Sequence, residues 1–141
     1  MSPTWKALID GGEPVRLGEN MGWPAVSPDG KLVACALQVP LPARLGVLPV
    51  EGGEPVKVFD VRPNMPSRIG WTGDGRGVTY VSRQNGVDEI WSQPIDGGEP
   101  EKLTNFKADR IFAYDWSHDN RLVISHGSET SDVVLIRNVN R

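Results

Sequence analysis

The sequence predicts an all-β fold, and three observations lead to this prediction. Turn-forming residues are abundant, with 16 glycines and 12 prolines among 141 residues. Short motifs recur at a fixed spacing, and no segment shows helical periodicity. With 38% hydrophobic and 23% charged residues, the chain has the composition of a folded protein. Its length suits one domain with a single sizeable core.

Two motifs define the repeat. GGEP occurs at positions 11–14, 52–55 and 97–100. A hairpin motif reads VSPDGKLV from Val26, WTGDGRGV from Trp71 and WSHDNRLV from Trp116, so that successive copies start 45 residues apart. A period of about 40 to 45 residues with β-type segments is typical of propeller blades, each a four-stranded antiparallel sheet. We therefore predict a partial β-propeller of about three to three and a half blades.

Local chemistry supports each predicted turn. In the first hairpin motif Pro28 fixes φ for the second position of a type I turn, Asp29 suits the third position, and Gly30 supplies a positive φ. Asn120 replaces this glycine in the last copy and tolerates the same conformation. The Gly-Gly pairs form a second hairpin, which precedes a short extended segment.

The repeat divides the chain into a half blade, residues 1–20, and three blades, residues 21–62, 63–107 and 108–141. The predicted strands cover 4–9 and 15–17; 24–27, 32–38, 45–50 and 56–61; 69–72, 78–83, 89–95 and 101–106; and 114–117, 122–126 and 132–139. Because these strands do not complete a ring, we expect an open arc that self-associates or aggregates through exposed sheet edges.

The repeats also carry a family resemblance. A turn of the Trp-Ser-x-Asp-Gly-Lys type, the strand EIWSQPI and the following DGGEPEKLT resemble the PD40-type repeats of TolB-like, WD40-like propellers, and the likeness covers essentially the whole chain. The ending SDVVLIRNVNR, after the blade TNFKADRIFAYDWSHDNRLVISHG, resembles the C-terminus of propellers attached to bacterial serine/threonine protein kinases. That resemblance implies a sensor or scaffold domain downstream of a kinase domain and a membrane segment.

The sequence contains no motif for catalysis, so we predict no catalytic residue, cofactor or metal site. The kinase motifs HRD, DFG and APE are absent, as is the Gly-x-Ser-x-Gly elbow of hydrolases. Because the chain ends about two residues beyond its last predicted strand, we do not expect the following catalytic domain of a hydrolase.

Polar side chains that could suggest a site have simpler structural roles. Asp29, Asp74 and Asp119 recur at one turn of successive blades, so we expect them to cap turns and not to converge on a metal. With a single cysteine, Cys35, the two histidines cannot complete a zinc site, and Cys35 itself lies in the apolar run LVACAL, which predicts burial.

The tryptophans follow the repeat as well. Trp71 and Trp116 share one repeat position, while Trp5 and Trp91 share another. All four are expected to pack between sheets, and Trp23 is expected in a loop.

Charge and hydropathy exclude two classes of partner. The 15 basic and 18 acidic residues are intermixed and give a net charge of -3, so the chain lacks the basic stripe that nucleic-acid binding requires. No stretch approaches the ~20 apolar residues of a membrane span, and no secretory signal is evident. The chain is soluble as written, whereas the compartment of a longer parent, membrane-anchored or periplasmic, stays open.

Propeller geometry predicts where a protein or peptide partner binds. One face of a propeller collects the loops between blades together with the loops between the second and third strands of each blade. In this sequence those loops contain Arg62, Arg68, Arg83, Asn85, Lys107, Asp109 and Arg110, which we call the rim. They mix charged and hydrogen-bonding groups, as a peptide-binding surface does. Ordinary solvated loops have the same composition.

The predicted function is a non-catalytic repeat module for protein or ligand binding, the C-terminal sensor or scaffold part of a larger bacterial protein such as a serine/threonine kinase. Three alternatives stay open. The chain is a fragment of a TolB-like periplasmic protein, a peptidase-associated propeller, or the remnant of an enzyme whose catalytic domain lies elsewhere.

Overall fold

The structure is a computed structural model that describes residues 3–64 and 68–132 of the chain. Its strands are β1 (Thr4–Lys6), β2 (Val15–Gly18), β3 (Met21–Val26), β4 (Leu32–Leu37), β5 (Arg44–Pro49), β6 (Lys57–Phe59), β7 (Gly70–Trp71), β8 (Gly77–Gln84), β9 (Val87–Pro94), β10 (Glu101–Lys102), β11 (Arg110–Trp116) and β12 (Leu122–Gly127). The described residues form no helix, which confirms the all-β class. They likewise include no helical segment that is long and apolar enough to cross a lipid bilayer.

The strands form four antiparallel sheets, one after another along the chain. β1 pairs with β2, β3 to β6 form a four-stranded sheet in chain order, β7 to β10 form another, and β11 pairs with β12. We number these sheets one to four. Within each sheet, every strand pairs with its sequence neighbours, which is the connectivity of a propeller blade. The predicted strand over 132–139 lies almost wholly outside the described residues.

Several strand bounds differ from prediction. β3 begins at Met21 because an irregularity in its pairing, between Gly22 and Ala25, lets it pair with β4 on both sides of Trp23. Trp23 therefore lies in a strand and not in a loop; its φ is 52° and it is 38% exposed. The fourth strands of sheets two and three are shorter than predicted, although single backbone hydrogen bonds at Val56, Val61 and Leu103 continue the pairing just beyond their ends.

The two four-stranded sheets pack face to face. Side chains alternate between the two faces of a strand. Ala34 and Val47 of sheet two therefore meet Val78 and Tyr80 of sheet three in the largest core cluster. The opposite face of sheet two buries Cys35, whose thiol pKa is raised to about 12 by burial. Burial of the cysteine, as predicted, is confirmed.

Sheet three buries its second face against sheet four. Val81 and Ile90 pack there against Tyr114, with Ile124 at the margin of the same cluster. Sheet three thus has apolar neighbours on both sides, as a blade in a ring does and as the two sheets of a sandwich do not. The first strands β3, β7 and β11 contact one another in series and line the axis of the arc.

The tryptophans at repeat positions pack as predicted in three of four cases. The indole Nε1 of Trp71 donates to the Ala25 carbonyl at 2.9 Å, and that of Trp116 donates to the Thr79 hydroxyl at 3.3 Å. Trp91 packs at the edge of the largest cluster. The prediction for Trp5 was wrong, because it is 55% exposed on the side of β1 that no described sheet covers.

Candidate functional site

The strand connectivity gives the arc two different faces. One face carries the hairpin turns after β3, β7 and β11 together with the GGEP turns, and we call it the turn face. The opposite face, the loop face, carries the described parts of the connections between blades, 60–64 with 68–69 and 103–109, and the connections from β4 to β5 and from β8 to β9. The seven rim residues come from the loop face, and all of them are exposed.

A tight turn fixes part of the rim. Asn85 and Gly86 connect β8 to β9 with φ values of 50° and 80°. Positive φ at both central positions defines the type I′ turn, which matches the twist of the strands that it joins. Arg83 reaches back over this turn and donates to the Gly86 carbonyl at 3.2 Å. The turn is therefore held by a side chain as well as by its backbone.

A buried carboxylate connects this turn to the next loop between blades. Asp88 is 2% exposed and accepts a hydrogen bond from the Ile111 backbone N–H at 3.0 Å. Its other carboxylate oxygen lies 3.6 Å from Nε of Arg83. The backbone N–H of Asp88 donates in turn to the Asp109 carbonyl at 3.3 Å. Asp88 thus fixes the relative positions of Arg83, Asp109 and Arg110.

Further contacts hold the loop 103–109 and its neighbours. Phe106 stacks on the imidazole of His126 with ring centroids 3.9 Å apart. Nε2 of His126 lies 3.0 Å from the Ala108 carbonyl, and Arg110 pairs with Glu129 at 2.8 Å. Lys107 lies in this loop and is exposed.

Arg68 belongs to a different environment from the rest of the rim. Its guanidinium lies 3.0 Å from the Asp115 carboxylate and donates to the Tyr114 carbonyl at 3.3 Å. It lines a cleft of about 270 Å³ at the axis, bounded by β3, β7 and β11 and including Trp71 and Trp116. The structure therefore separates Arg68 from the rim residues near the β8 to β9 turn.

A second cleft lies between sheets two and three. It has a volume of about 460 Å³, and we call it the inter-blade cleft. Its walls are formed by Asp60, Val61, Arg62, Tyr80, Ser82, Gln84, Trp91 and Pro100. Of the rim, Arg62 lines this cleft. Sequence reasoning missed Tyr80 and Trp91 as site residues, although an alternation of Tyr80, Ser82 and Gln84 along β8 places polar atoms on one face of the strand.

The recurring aspartates cap their own turns, as the sequence predicts. Oδ1 of Asp29 accepts from the Ser27 hydroxyl at 2.6 Å and from the Lys31 N–H at 3.0 Å. Asp74 repeats both contacts with Thr72 and Arg76 at the same distances.

These contacts lower the carboxyl pKa values. The largest cause is the hydroxyl hydrogen bond of Ser27 for Asp29 and of Thr72 for Asp74. For Asp119 the largest cause is the contact with Arg121, followed by the Ser117 hydroxyl. Each shift thus arises within one turn.

Comparison with solved structures places these features in a known architecture. A TolB structure from Agrobacterium tumefaciens is 29% identical to the chain, with a TM-score of 0.71, and the match covers 89% of this chain and 47% of that one. TolB from Acinetobacter baumannii is 18% identical with a TM-score of 0.72, which supports the fold alone; the match covers 91% of this chain and 33% of that one.

The chain therefore spans half or less of the length of these two structures. No protein-family model matches it, and no curated protein does. The resemblance to kinase-attached propellers stays a prediction, since its distinctive ending falls largely on residues 133–141, outside the described part. The repeats, the sheet order and the structural similarity together show that the chain is a run of β-propeller blades similar to those of TolB structures.

Proposed function

We propose that the chain is a non-catalytic binding module that recognises a protein or peptide on its loop face. The observation that carries the proposal is the combination of exposed polar side chains with fixed backbones at the rim. Asn85, Lys107 and Arg110 are exposed, while the surrounding turn and loops are held by Asp88 and by the Phe106 stack on His126. A preordered surface loses little conformational entropy when a partner binds, which favours affinity.

We propose further that the module is part of a TolB-like envelope protein. The 29% identity over 89% of the chain supports this assignment. The kinase-associated sensor rests on the sequence ending SDVVLIRNVNR, and the peptidase-associated propeller rests on repeat resemblance. Sequencing the genomic DNA on both sides of the coding segment distinguishes the three parents, because a hydrolase domain of a peptidase parent would follow the propeller. A signal peptide and a small α/β domain support the TolB-like parent, whereas HRD and DFG motifs in the same frame would contradict it.

Selection of peptides from a random display library on the immobilised chain tests the binding function. We expect enriched peptides to bind the folded chain and to lose roughly tenfold or more in affinity to the rim variant Lys107→Ala with Arg110→Ala. The matched control is Lys31→Ala with Arg121→Ala on the turn face, which removes the same charge and also breaks one exposed ion pair. Peptides that lose affinity to this control and not to the rim variant would contradict the proposal, as would a selection without enrichment.

A further inference from the structure

A tyrosine lies in the wall of the inter-blade cleft. Tyr80 is 4% exposed and lines the cleft. Burial raises the pKa of Tyr80 to about 12, so the phenol keeps its proton at neutral pH. The protonated phenol can donate a hydrogen bond to an acceptor in the cleft.

A second donor lies beside this hydroxyl. Tyr80 and Trp91 are cross-strand partners in β8 and β9, so both side chains point to the same face of sheet three. The indole nitrogen of Trp91 is buried, and it has no acceptor in the described part of the chain. An indole N–H can donate a hydrogen bond but cannot accept one. The Trp91 nitrogen therefore lacks an acceptor atom, which a ligand could supply.

One arginine and one aspartate line the cleft. Arg62 lines the cleft, and none of the described carboxylates lies within 4.0 Å of its guanidinium. Asp60, on the same segment, also lines the cleft, and its carboxylate lies 3.9 Å from Nε of Arg44 of sheet two. A guanidinium offers paired N–H donors in the geometry of a carboxylate.

We propose that the inter-blade cleft binds a carboxylate presented by a peptide. The guanidinium of Arg62 pairs with the carboxylate, Tyr80 and Trp91 donate to acceptor atoms of the peptide, and Val61 and Pro100 provide apolar contact for the aliphatic stem. This inference rests on the proposed binding function. It adds the chemical class of the ligand, a carboxylate, and places the binding site between two blades, away from Lys107 and Arg110.

Nuclear magnetic resonance titration of the whole chain with short peptides tests the proposal. The probes are acetyl-Ala-Glu-Ala-amide, its glutamine analogue, and acetyl-Ala-Gln-Ala with a free C-terminal carboxylate. The readout is the indole ¹H–¹⁵N signal of Trp91, assigned by its loss in Trp91→Phe. We expect a carboxylate peptide to shift this signal with roughly tenfold or more higher affinity than the uncharged analogue. Whether the side-chain or the terminal carboxylate binds tighter identifies the source of the group.

Two variants separate the site from general charge attraction. Arg62→Gln should weaken binding by roughly tenfold or more, whereas Arg76→Gln, an exposed arginine on the turn face, should leave it within about twofold. Tyr80→Phe keeps the ring and should weaken binding by about threefold to tenfold. Equal binding of charged and uncharged peptides, or equal effects of Arg62→Gln and Arg76→Gln, would overturn the proposal.

The experiments separate the loss of this carboxylate site from the loss of peptide binding at the rim. Peptides that depend on Lys107 and Arg110 but show no carboxylate preference at Trp91 would leave the binding module intact and remove this site. If peptides neither depend on the rim nor shift the Trp91 signal, both proposals are wrong.

Discussion

Thr79 is one of the residues through which hydrogen bonds join the third and fourth sheets. Its side chain is fully buried, and its hydroxyl oxygen lies 3.2 Å from the Tyr114 hydroxyl and 3.3 Å from Nε1 of Trp116. Tyr114 also donates to the Arg68 carbonyl at 2.9 Å, which ties the start of β7 to β11. A short polar network inside an apolar interface fixes how the two blades face each other.

Thr79→Val should therefore destabilise the fold although it preserves shape. It leaves the Trp116 N–H without its acceptor, and an unpaired buried donor costs about 1–3 kcal/mol. Chemical denaturation measures the free energy of unfolding of the variant and of the parent. The control is Thr130→Val at an exposed position, for which we expect a change within about 0.5 kcal/mol. Equal effects of the two substitutions would show that the Thr79 hydroxyl has no structural role.

The turn aspartates make the stability of the folded chain depend on pH in the acidic range. Their pKa values in the folded chain lie below the ordinary value of 3.8, because the ionised form is stabilised by hydroxyl and backbone donors at Asp29 and Asp74 and by Arg121, then the Ser117 hydroxyl, at Asp119. Their contribution to stability is therefore present above about pH 4 and is lost as pH falls through the lowered pKa values. Asp29→Asn with Asp74→Asn and Asp119→Asn removes the titration and keeps an acceptor at each turn.

The measurement for this prediction is the thermal midpoint of both proteins from acid to neutral pH. The parent should exceed the triple variant at neutral pH, and the difference should shrink below about pH 4. A difference that does not change with pH would contradict the assigned cause.

At the scale of elements, the β8 to β9 hairpin shows how much a turn contributes. Gly86 has a φ of 80°, and a Cβ at this position would meet nothing within 4 Å. Gly86→Ala therefore tests backbone strain without a steric clash. We expect a loss of about 1–2 kcal/mol in the free energy of unfolding.

Gly127→Ala is the matched control for this turn. Gly127 ends β12, its φ is not in the left-handed region, and the nearest contact of an added Cβ is an ordinary 3.7 Å to Phe112. The control should be neutral or slightly stabilising. If Gly86→Ala were as well tolerated as Gly127→Ala, the type I′ geometry would be wrong.

The sequence predicts local structural features, such as single turns, well. The turn at Asp29 and Gly30 depends on residues within one hairpin, so the motif SPDGK is enough to predict it. The pairing irregularity in β3 at Trp23 is harder to predict, because tryptophan is not a turn-forming residue. The shortening of β6 and β10 depends on where each sheet ends, which short-range patterns do not encode.

The parts of the site that sequence reasoning missed arise between distant segments. Tyr80 and Arg62 are separated along the chain, and they share a cleft because two sheets are stacked. Arg68 turns to the axis because Asp115 lies there, 47 positions further along. Trp5 matches Trp91 in the repeat, yet its exposure depends on whether another sheet covers it.

For the molecule as a whole, the outer faces of the arc predict self-association. Trp5 on sheet one is 55% exposed, and Phe112 and Val123 on sheet four are 53% and 67% exposed. Blade faces in a propeller normally pack against neighbours, so these side chains offer apolar contact to a second copy. Light scattering after size exclusion should give a mass above the monomer that rises with concentration.

Phe112→Glu with Val123→Glu should return the chain to the monomer mass, because it places charge on the exposed face of sheet four. Lys31→Glu with Arg121→Glu on the turn face is the control and should leave association unchanged. A parent that stays monomeric at high concentration would contradict the prediction.

The repeats are blades stacked in series around an axis. Methyl nuclear Overhauser measurements test this arrangement of the sheets. Because Val47 and Val78 share one interface while Ile90 and Ile124 share the next, we expect cross-peaks within each pair. No cross-peak should join Val47 to Ile124, since sheet three lies between them. A direct Val47 to Ile124 contact, as a two-sheet sandwich would produce, would contradict the stacked-blade account.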